Sequence, residues 1–308
     1  MLLSILSPVY RSEKIVVPLY ERISAVASRM ADFADYEIVL VEDCGGDRSW
    51  EVIQELAAKD KHVVALRLSR NFGQHHALTA GLSVCRGEWV VMMDCDLQDD
   101  PDDMPALWQE ARKGYLIVNA RRIAREHAVG RRLASRAYYL LLEHLSGLAF
   151  DPQVANYRIM HRRVVDAFLA IPEATRAVGL HLQWLGFKTG SVDVRQVRRL
   201  EGGSTYTVRK LFALAANSIV SYSNKPLQYS IGLGLVMAAS SLLFTCGIFV
   251  RALFWGIPVL GWASLMVSLW FIGGIIVANL GIIGIYIGKI YDETKRRPLY
   301  VIAERINC

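Results

Sequence analysis

Val90-Val91-Met92-Met93-Asp94-Cys95-Asp96-Leu97-Gln98-Asp99 is an apolar run that carries two carboxylates, one residue apart, at its end. In a strand, side chains at i and i+2 point the same way, so Asp94 and Asp96 face one site if the extended geometry persists to Asp96. Paired oxygens at the carboxyl end of a buried strand are where an α/β fold holds a divalent cation and a diphosphate. The pattern suggests chemistry on a nucleotide-linked substrate. An acidic turn, in which Asp99, Asp100, Asp102 and Asp103 only solvate the loop, fits D-x-D equally well.

Around this run, short apolar stretches alternate with helix-like ones. Ser4 to Val9, Tyr36 to Val41, Val63 to Leu68, Trp89 to Met93 and Tyr115 to Val118 read as strands. Lys14 to Asp32, Ser49 to Lys59, Gly73 to Cys85 and Met104 to Lys113 read as helices, the second capped by Asp47 or Ser49. The alternation predicts an α/β fold, a mostly parallel sheet with helices on both faces. Ligands of such sheets bind beyond the carboxyl ends of the strands. The polar stretches Tyr10 to Glu13, Glu42 to Asp47, Ser69 to Gly73 and Asp94 to Gln98 fall there.

With 308 residues and 53% hydrophobic content, the chain exceeds one average domain and is too apolar for an ordinary soluble enzyme. The excess lies near the carboxyl end. Tyr229 to Val250 and Leu260 to Gly288 contain no charged residue, and each, at about 1.5 Å per residue, exceeds the roughly 30 Å hydrocarbon core of a bilayer. Both read as transmembrane helices, against the alternative of an apolar hairpin buried in a soluble core. Arg251 to Val259, with Pro258, would join them. Arg209, Lys210 and Lys225 precede the first and Lys289, Lys295, Arg296 and Arg297 follow the second. By the positive-inside rule this predicts a multi-pass inner-membrane protein with its catalytic part on the cytoplasmic side. The net charge of +6, clustered beside the membrane, suits anionic headgroups and points to no nucleic-acid partner.

Met1 to Pro8 is too short and lacks the basic leader of a signal peptide, and reads as a first strand. The five cysteines, Cys44, Cys85, Cys95, Cys246 and Cys308, have no metal-ligand spacing and suit reduced thiols. Beyond residue 120 come arginine-rich helices with Arg121, Arg122, Arg125, Arg131, Arg132 and Arg136. Thr207 to Ser223 sets Val208, Leu211, Phe212, Ala215, Ile219 and Tyr222 at helical spacing, which suits an interfacial amphipathic helix or one packed on the soluble domain.

In this order, Ser7-Pro8-Val9-Tyr10, Val41-Glu42-Asp43-Cys44-Gly45-Gly46-Asp47, Leu68-Ser69-Arg70-Asn71-Phe72-Gly73-Gln74 and the Asp94/Asp96 segment resemble the family-2 glycosyltransferases. More narrowly, the chain is similar to polyprenyl-phosphate hexose synthases. Arg199-Leu200-Glu201-Gly202-Gly203-Ser204-Thr205-Tyr206 and the stretch from Gly284 to Lys295 with Arg297-Pro298 extend the likeness over nearly the whole chain. The resemblance implies a GT-A-type α/β domain over 1–206, an amphipathic juxtamembrane helix and link over 207–228, a two-helix transmembrane hairpin over 229–288 and a cytoplasmic tail over 289–308. It also implies that Pro8, Tyr10, Glu13, Glu42, Asp43 and Gly73 hold the nucleotide-sugar donor, with Arg199 and Ser204 on a loop closing over its diphosphate. Asp94 and Asp96 would meet Mg2+ or Mn2+, with Gln98 beside the sugar. Arg121, Arg131 and Ser135 would bind the phosphate of a polyprenyl-phosphate acceptor, with Asn156 nearby. Guanidinium forks suit such a phosphate.

The chain departs from the family pattern in carrying Glu42-Asp43 for Asp-Asp, Ser204-Thr205-Tyr206 for Ser-Lys-Tyr, and Asn156-Tyr157-Arg158 where many relatives have Asp before the aromatic-Arg pair. An amide cannot act as a general base. The reading that follows is inverting, metal-assisted transfer of a sugar to a polyprenyl phosphate, with homo-oligomerisation left open. A processive polysaccharide synthase should carry Gln-x-x-Arg-Trp, which Gln183-Trp184-Leu185-Gly186 does not supply. A non-catalytic scaffold or lipid-flipping partner remains as an alternative of another class.

Overall fold

The computed structural model describes residues 1–122, 154–195, 225–255 and 261–308. In chain order its elements are β1 (Leu2–Val9), α1 (Val16–Ala27), β2 (Asp35–Glu42), α2 (Ser49–Lys59), β3 (Val63–Leu68), α3 (Gln74–Val84), β4 (Trp89–Met92), α4 (Met104–Ala111), β5 (Ile117–Arg122), β6 (Val154–His161), α5 (Arg162–Leu169), α6 (Val178–Trp184), β7 (Thr189–Val194), α7 (Lys225–Trp255), α8 (Trp262–Thr294) and β8 (Ile302–Ile306). The chain forms two compact units. The first holds the strands and α1 to α6, and the second holds α7 and α8.

The sheet order is β7-β5-β6-β4-β1-β2-β3-β8. β1 pairs in parallel with β2 and β4, β2 with β3, and β5 with β7, while β6 and β8 run antiparallel to their neighbours. The sheet is thus mostly parallel. Alternate residues of each strand feed two cores, as period-two geometry requires. On one face Leu3, Ile5, Ile38, Leu40 and Val91 meet α1, α2 and α4; on the other Leu6, Val39, Val41, Val90 and Met92 meet α3, α5 and α6. Helices therefore cover both faces, and near-continuous burial of β1, β2 and β4 follows.

The chain leaves β1 for β2 and β3 on one side, then returns to place β4 on the other side of β1. Strand order reverses there, which opens a crevice at the carboxyl ends of β1 and β4.

Several sequence expectations shift. The extended geometry ends at Met92, so Asp94 to Leu97 is a turn rather than the end of the strand. Position Arg48, not Asp47 or Ser49, caps α2, without a side-chain cap bond; Asp47 instead accepts from the Ser49 hydroxyl at 2.8 Å. β6, β7 and β8 were not expected. β8 lies within the stretch read as a tail and pairs with β3. Arg251, placed between the two spans, belongs to α7, which continues to Trp255. The expected helix over Thr207 to Ser223 lies outside the described residues.

Candidate active site

A cavity of about 330 Å3 occupies the crevice, lined by Pro8, Tyr10, Asp43, Asn71, Gly73, Gln74, Asp94 and Asp96 among others. Four loops build it, each leaving the carboxyl end of one of β1 to β4. Three of them turn on a non-glycine residue in the left-handed region, and in each case this residue directly follows a cavity residue: Arg11 (φ 51°) after Tyr10, Cys44 (φ 52°) after Asp43, and Leu97 (φ 56°) after Asp96. Such backbone costs free energy and persists where the surroundings hold it for a purpose. The fourth loop turns on Gly73 (φ 92°), where a side chain would be strained.

The buried Asp43 carboxylate accepts from the Phe72 and Gly73 amides at 2.8 and 2.9 Å, tying the end of β2 to the start of α3. Burial raises its pKa above the usual carboxylate value, against the pull of those two bonds. Asp94 is the centre of the network. Its Oδ1 accepts from Gln74 Nε2 at 2.6 Å and from Asn156 Nδ2 at 3.2 Å, and its backbone N–H donates to Asp99 at 3.3 Å. Burial, reinforced by the charges of Asp99 and Asp96 and opposed by the Asn156 bond, pushes the Asp94 carboxyl up to about 6. Desolvation and like charges both disfavour the ionised form.

Asp94 and Asp96 share the cavity although the strand ends before them, because the turn brings both side chains to it. Asp96 Oδ1 accepts from the Gln98 N–H at 3.1 Å, closing that turn. Among the described residues no three His, Cys, Asp or Glu side chains group as a complete ligand set. Two carboxylates at the mouth of a cavity fit a hard cation such as Mg2+, which takes one or two protein carboxylates and completes its shell with substrate phosphates and water. The raised Asp94 fits as well, since a nearby cation would favour its ionised form.

Register explains Asn156. β6 runs antiparallel to β4 with Arg158 opposite Met92, so two residues on, Asn156 meets Asp94. Asn156 thus stands in contact with a candidate metal carboxylate. Arg158 is buried, donates from Nε to the Asn156 carbonyl at 3.1 Å, and has its pKa driven down to about 10 by burial, against the favourable charge of Asp94.

Other sequence-assigned residues stand elsewhere. Glu13 accepts from the Arg48 N–H at 3.2 Å, and Glu42, buried, accepts from the Gly45 N–H at 2.6 Å; both brace loops and neither lines the cavity. Gln98 also lies off its lining. Arg121 is on β5 with an exposed ion pair to Asp193 at 2.6 Å. Arg131, Ser135, Arg199 and Ser204 lie outside the described residues. Sequence reading missed Asn71 and Gln74 as site residues, although both stand in the segment it singled out. In the alternative of an acidic turn Asp99 only solvates the loop; in the structure Asp99 is buried and paired with Arg122 at 2.7 Å.

A mostly parallel sheet with paired carboxylates beside a cavity at its switch point suits an enzyme acting on a nucleotide-linked substrate. The profile of Glycosyl transferase family 2 matches residues 4–169. The uncharacterized glycosyltransferase YkcC of Bacillus subtilis is 32% identical over 300 residues, covering 97% of this chain and 92% of that protein. A bactoprenol glucosyl transferase of Shigella phage SfV is 34% identical over 304 residues, 98% of each chain. The undecaprenyl-phosphate 4-deoxy-4-formamido-L-arabinose transferase of Pseudomonas fluorescens is 31% identical over 303 residues, covering 97% and 88%. Glucosyl-3-phosphoglycerate synthase of Mycobacterium tuberculosis, solved with Mn2+, uridine diphosphate and phosphoglyceric acid, shares the fold at TM-score 0.50 and 17% identity, over 71% of this chain and 76% of that one. The chain belongs to glycosyl transferase family 2, and it is a glycosyltransferase.

Proposed function

We propose that the protein transfers a sugar from a nucleotide diphosphate to a polyprenyl phosphate at the cytoplasmic face of a membrane. The observation that carries this reading is the shared cavity of Asp94, Asp96, Asp43 and the Asn71 to Gln74 loop. Full-length likeness to relatives named for bactoprenol and undecaprenyl phosphate supports the acceptor. Mg2+ or Mn2+ held by Asp94 and Asp96 would supply positive charge to the departing nucleotide diphosphate.

The chain's own groups do the rest. Asp43 and Tyr10, which line the cavity, would hold the nucleoside, while the Gln74 and Asn156 amides hold Asp94 Oδ1 in place. The acceptor is a phosphate monoester with a second pKa of about 6, already mostly ionised at neutral pH. Its oxygen attacks the anomeric carbon and the bond to the nucleotide diphosphate breaks, with inversion. No general base is required, consistent with an amide at Asn156.

The membrane part rests on chain parity. Ser268–Thr294, within α8, is long and apolar enough to cross a membrane by length and composition; its most apolar 18 residues have mean hydropathy 2.1, and none of these is buried in the protein. Beyond it, β8 pairs with β3, so β8 lies on the same side of any membrane as the rest of the sheet. That pairing supports an even number of crossings in between. α7, 31 residues long with no charge from Pro226 to Val250, supplies the second. Cysteines introduced near Gly256 should label from outside intact cells and those near Lys295 should not; the reverse pattern refutes this topology.

Incubating the membrane-inserted protein with labelled UDP-, GDP- and dTDP-sugars and undecaprenyl phosphate tests the activity. Label should pass into organic-soluble lipid with one nucleotide, only when polyprenyl phosphate is present. Label in a water-insoluble polymer, or none with any donor, contradicts the reading.

A further inference from the structure

A second cavity, of about 250 Å3, lies in the same unit, with Arg70, Asn71, His76 and Arg297 as its polar lining. Asn71 lines this cavity and the donor cavity alike, so the two adjoin. Arg70 extends over the Phe72 ring, its guanidinium 4.5 Å from the ring centroid, which holds a flexible side chain at the cavity wall. Among the described residues no ion pair ties Arg70 or Arg297 to a carboxylate, and His76 has the charge of Asp43 nearby. By contrast Arg67, three residues before Arg70, is tied to Glu304 at 3.0 Å and stands 3.4 Å from Glu42. His76 lies in the first turn of α3, where the helix dipole adds positive potential.

Two guanidiniums, an imidazole and an amide facing one cavity whose lining holds no carboxylate make a site for an anion with several acceptor oxygens, which describes a phosphate. Arg297 follows the end of α8 by three residues. If α8 crosses the membrane, as proposed above, Arg297 stands at the level where lipid phosphates are found.

We infer that this cavity binds the phosphate group of a lipid, next to the donor. The inference rests on the membrane reading. Two sources present the same chemistry, the polyprenyl-phosphate acceptor and an anionic phospholipid headgroup. In either case Arg70 and Arg297 are binding residues.

The test uses the full-length protein in uncharged detergent, with binding as its readout. The probes are farnesyl phosphate, phosphatidylglycerol and uncharged farnesol, compared in wild type, Arg70→Gln, Arg297→Gln and the double variant, with UDP binding measured beside them. Each single variant should bind farnesyl phosphate about tenfold more weakly and the double variant about a hundredfold, as expected for lost charge-assisted bonds. UDP and farnesol binding should be unchanged, and Arg70→Lys with Arg297→Lys should recover most of the loss. Competition by phosphatidylglycerol, lost in the double variant, assigns the site to a headgroup; farnesyl phosphate binding indifferent to phosphatidylglycerol assigns it to the acceptor. Unchanged farnesyl phosphate binding in the double variant overturns the inference, and so does equal loss of UDP or farnesol. Absence of sugar transfer to polyprenyl phosphate would defeat the functional reading but would leave this binding result to stand or fall by itself.

Discussion

Asp96→Ala should abolish sugar transfer, by at least about a thousandfold, while the protein folds and inserts as before. Asp96 sits in a solvent-reachable turn, where its carboxylate accepts from the nearby Gln98 N–H. Losing it leaves the two cores untouched, yet it removes half of the carboxylate pair aimed at the departing diphosphate. Asp94→Asn should be equally inactive for a different reason, and more stable. At pH below about 4 the Asp94 carboxyl is protonated in folded and unfolded chains alike. As pH rises through about 6 the folded chain must ionise it against burial and the charge of Asp99, so the metal-free protein loses stability across that window. A shift of this size amounts to roughly 2 to 3 kcal/mol at neutral pH. Asp103, also pushed up to about 6 by burial and its acidic neighbours, adds a slope of the same sign. In EDTA, Asp94→Asn should therefore unfold at higher denaturant concentration than wild type at pH 7.5 and show a shallower, not flat, pH dependence. Mn2+ should restore stability to wild type alone. Full activity of wild type in EDTA, or an Asp96→Ala enzyme keeping a tenth of its rate, would refute the role assigned to the pair.

Burial on both faces made the sheet legible. β1 to β4 are nearly continuous apolar runs, the signature of parallel strands between helix layers, and α2 was read with its observed ends, Ser49–Lys59. β6 and β8 escaped notice because they are edge-like or antiparallel additions. Val154–His161 mixes Asn156, Arg158 and His161 among apolar residues, and Ile302–Ile306 is polar at its centre, with no periodicity strong enough to distinguish either from loop. Pairing across more than 200 residues, β3 with β8, leaves no local mark.

The site was legible where chemistry is concentrated in consecutive residues. Asp94, Asp96, Asp43 and Gly73 stand in motifs whose order could be recognised, and the structure brings them to one cavity. What could not be read was which carboxylates face a ligand and which face the protein. Glu42 and Asp43 are neighbours in sequence, but only Asp43 lines the cavity, while Glu42 closes its own loop through the Gly45 N–H. Asp99 looked like one more solvating acid among Asp100, Asp102 and Asp103. Its burial depends on Arg122, 23 residues away, and tertiary pairing of that kind decides which buried charge is tolerable.

Asn156→Ala should lose about ten- to a hundredfold in rate near pH 6.5, and the loss should shrink as pH is raised towards 8.5. The Asn156 amide donates to Asp94 Oδ1 and thereby lowers a pKa that burial has raised to about 6. Without that donor Asp94 rises further, so near neutral pH a larger fraction is protonated and unable to meet a cation. Raising the pH ionises it again. The acceptor phosphate titrates near the same pH, but its ionisation belongs to the substrate and is identical for both enzymes, so an upward displacement of the acid limb in the variant isolates Asp94. Asn156→Asp brings in the carboxylate that many relatives carry. In this chain it would stand beside Asp94 and raise that group by like-charge repulsion, so its rate should fall at limiting Mn2+ and recover as Mn2+ saturates. A pH-independent loss in Asn156→Ala would reduce Asn156 to a positioning contact with the acceptor. A tenfold gain in Asn156→Asp at saturating Mn2+ would show that the reaction profits from a general base, and the base-free displacement would be wrong.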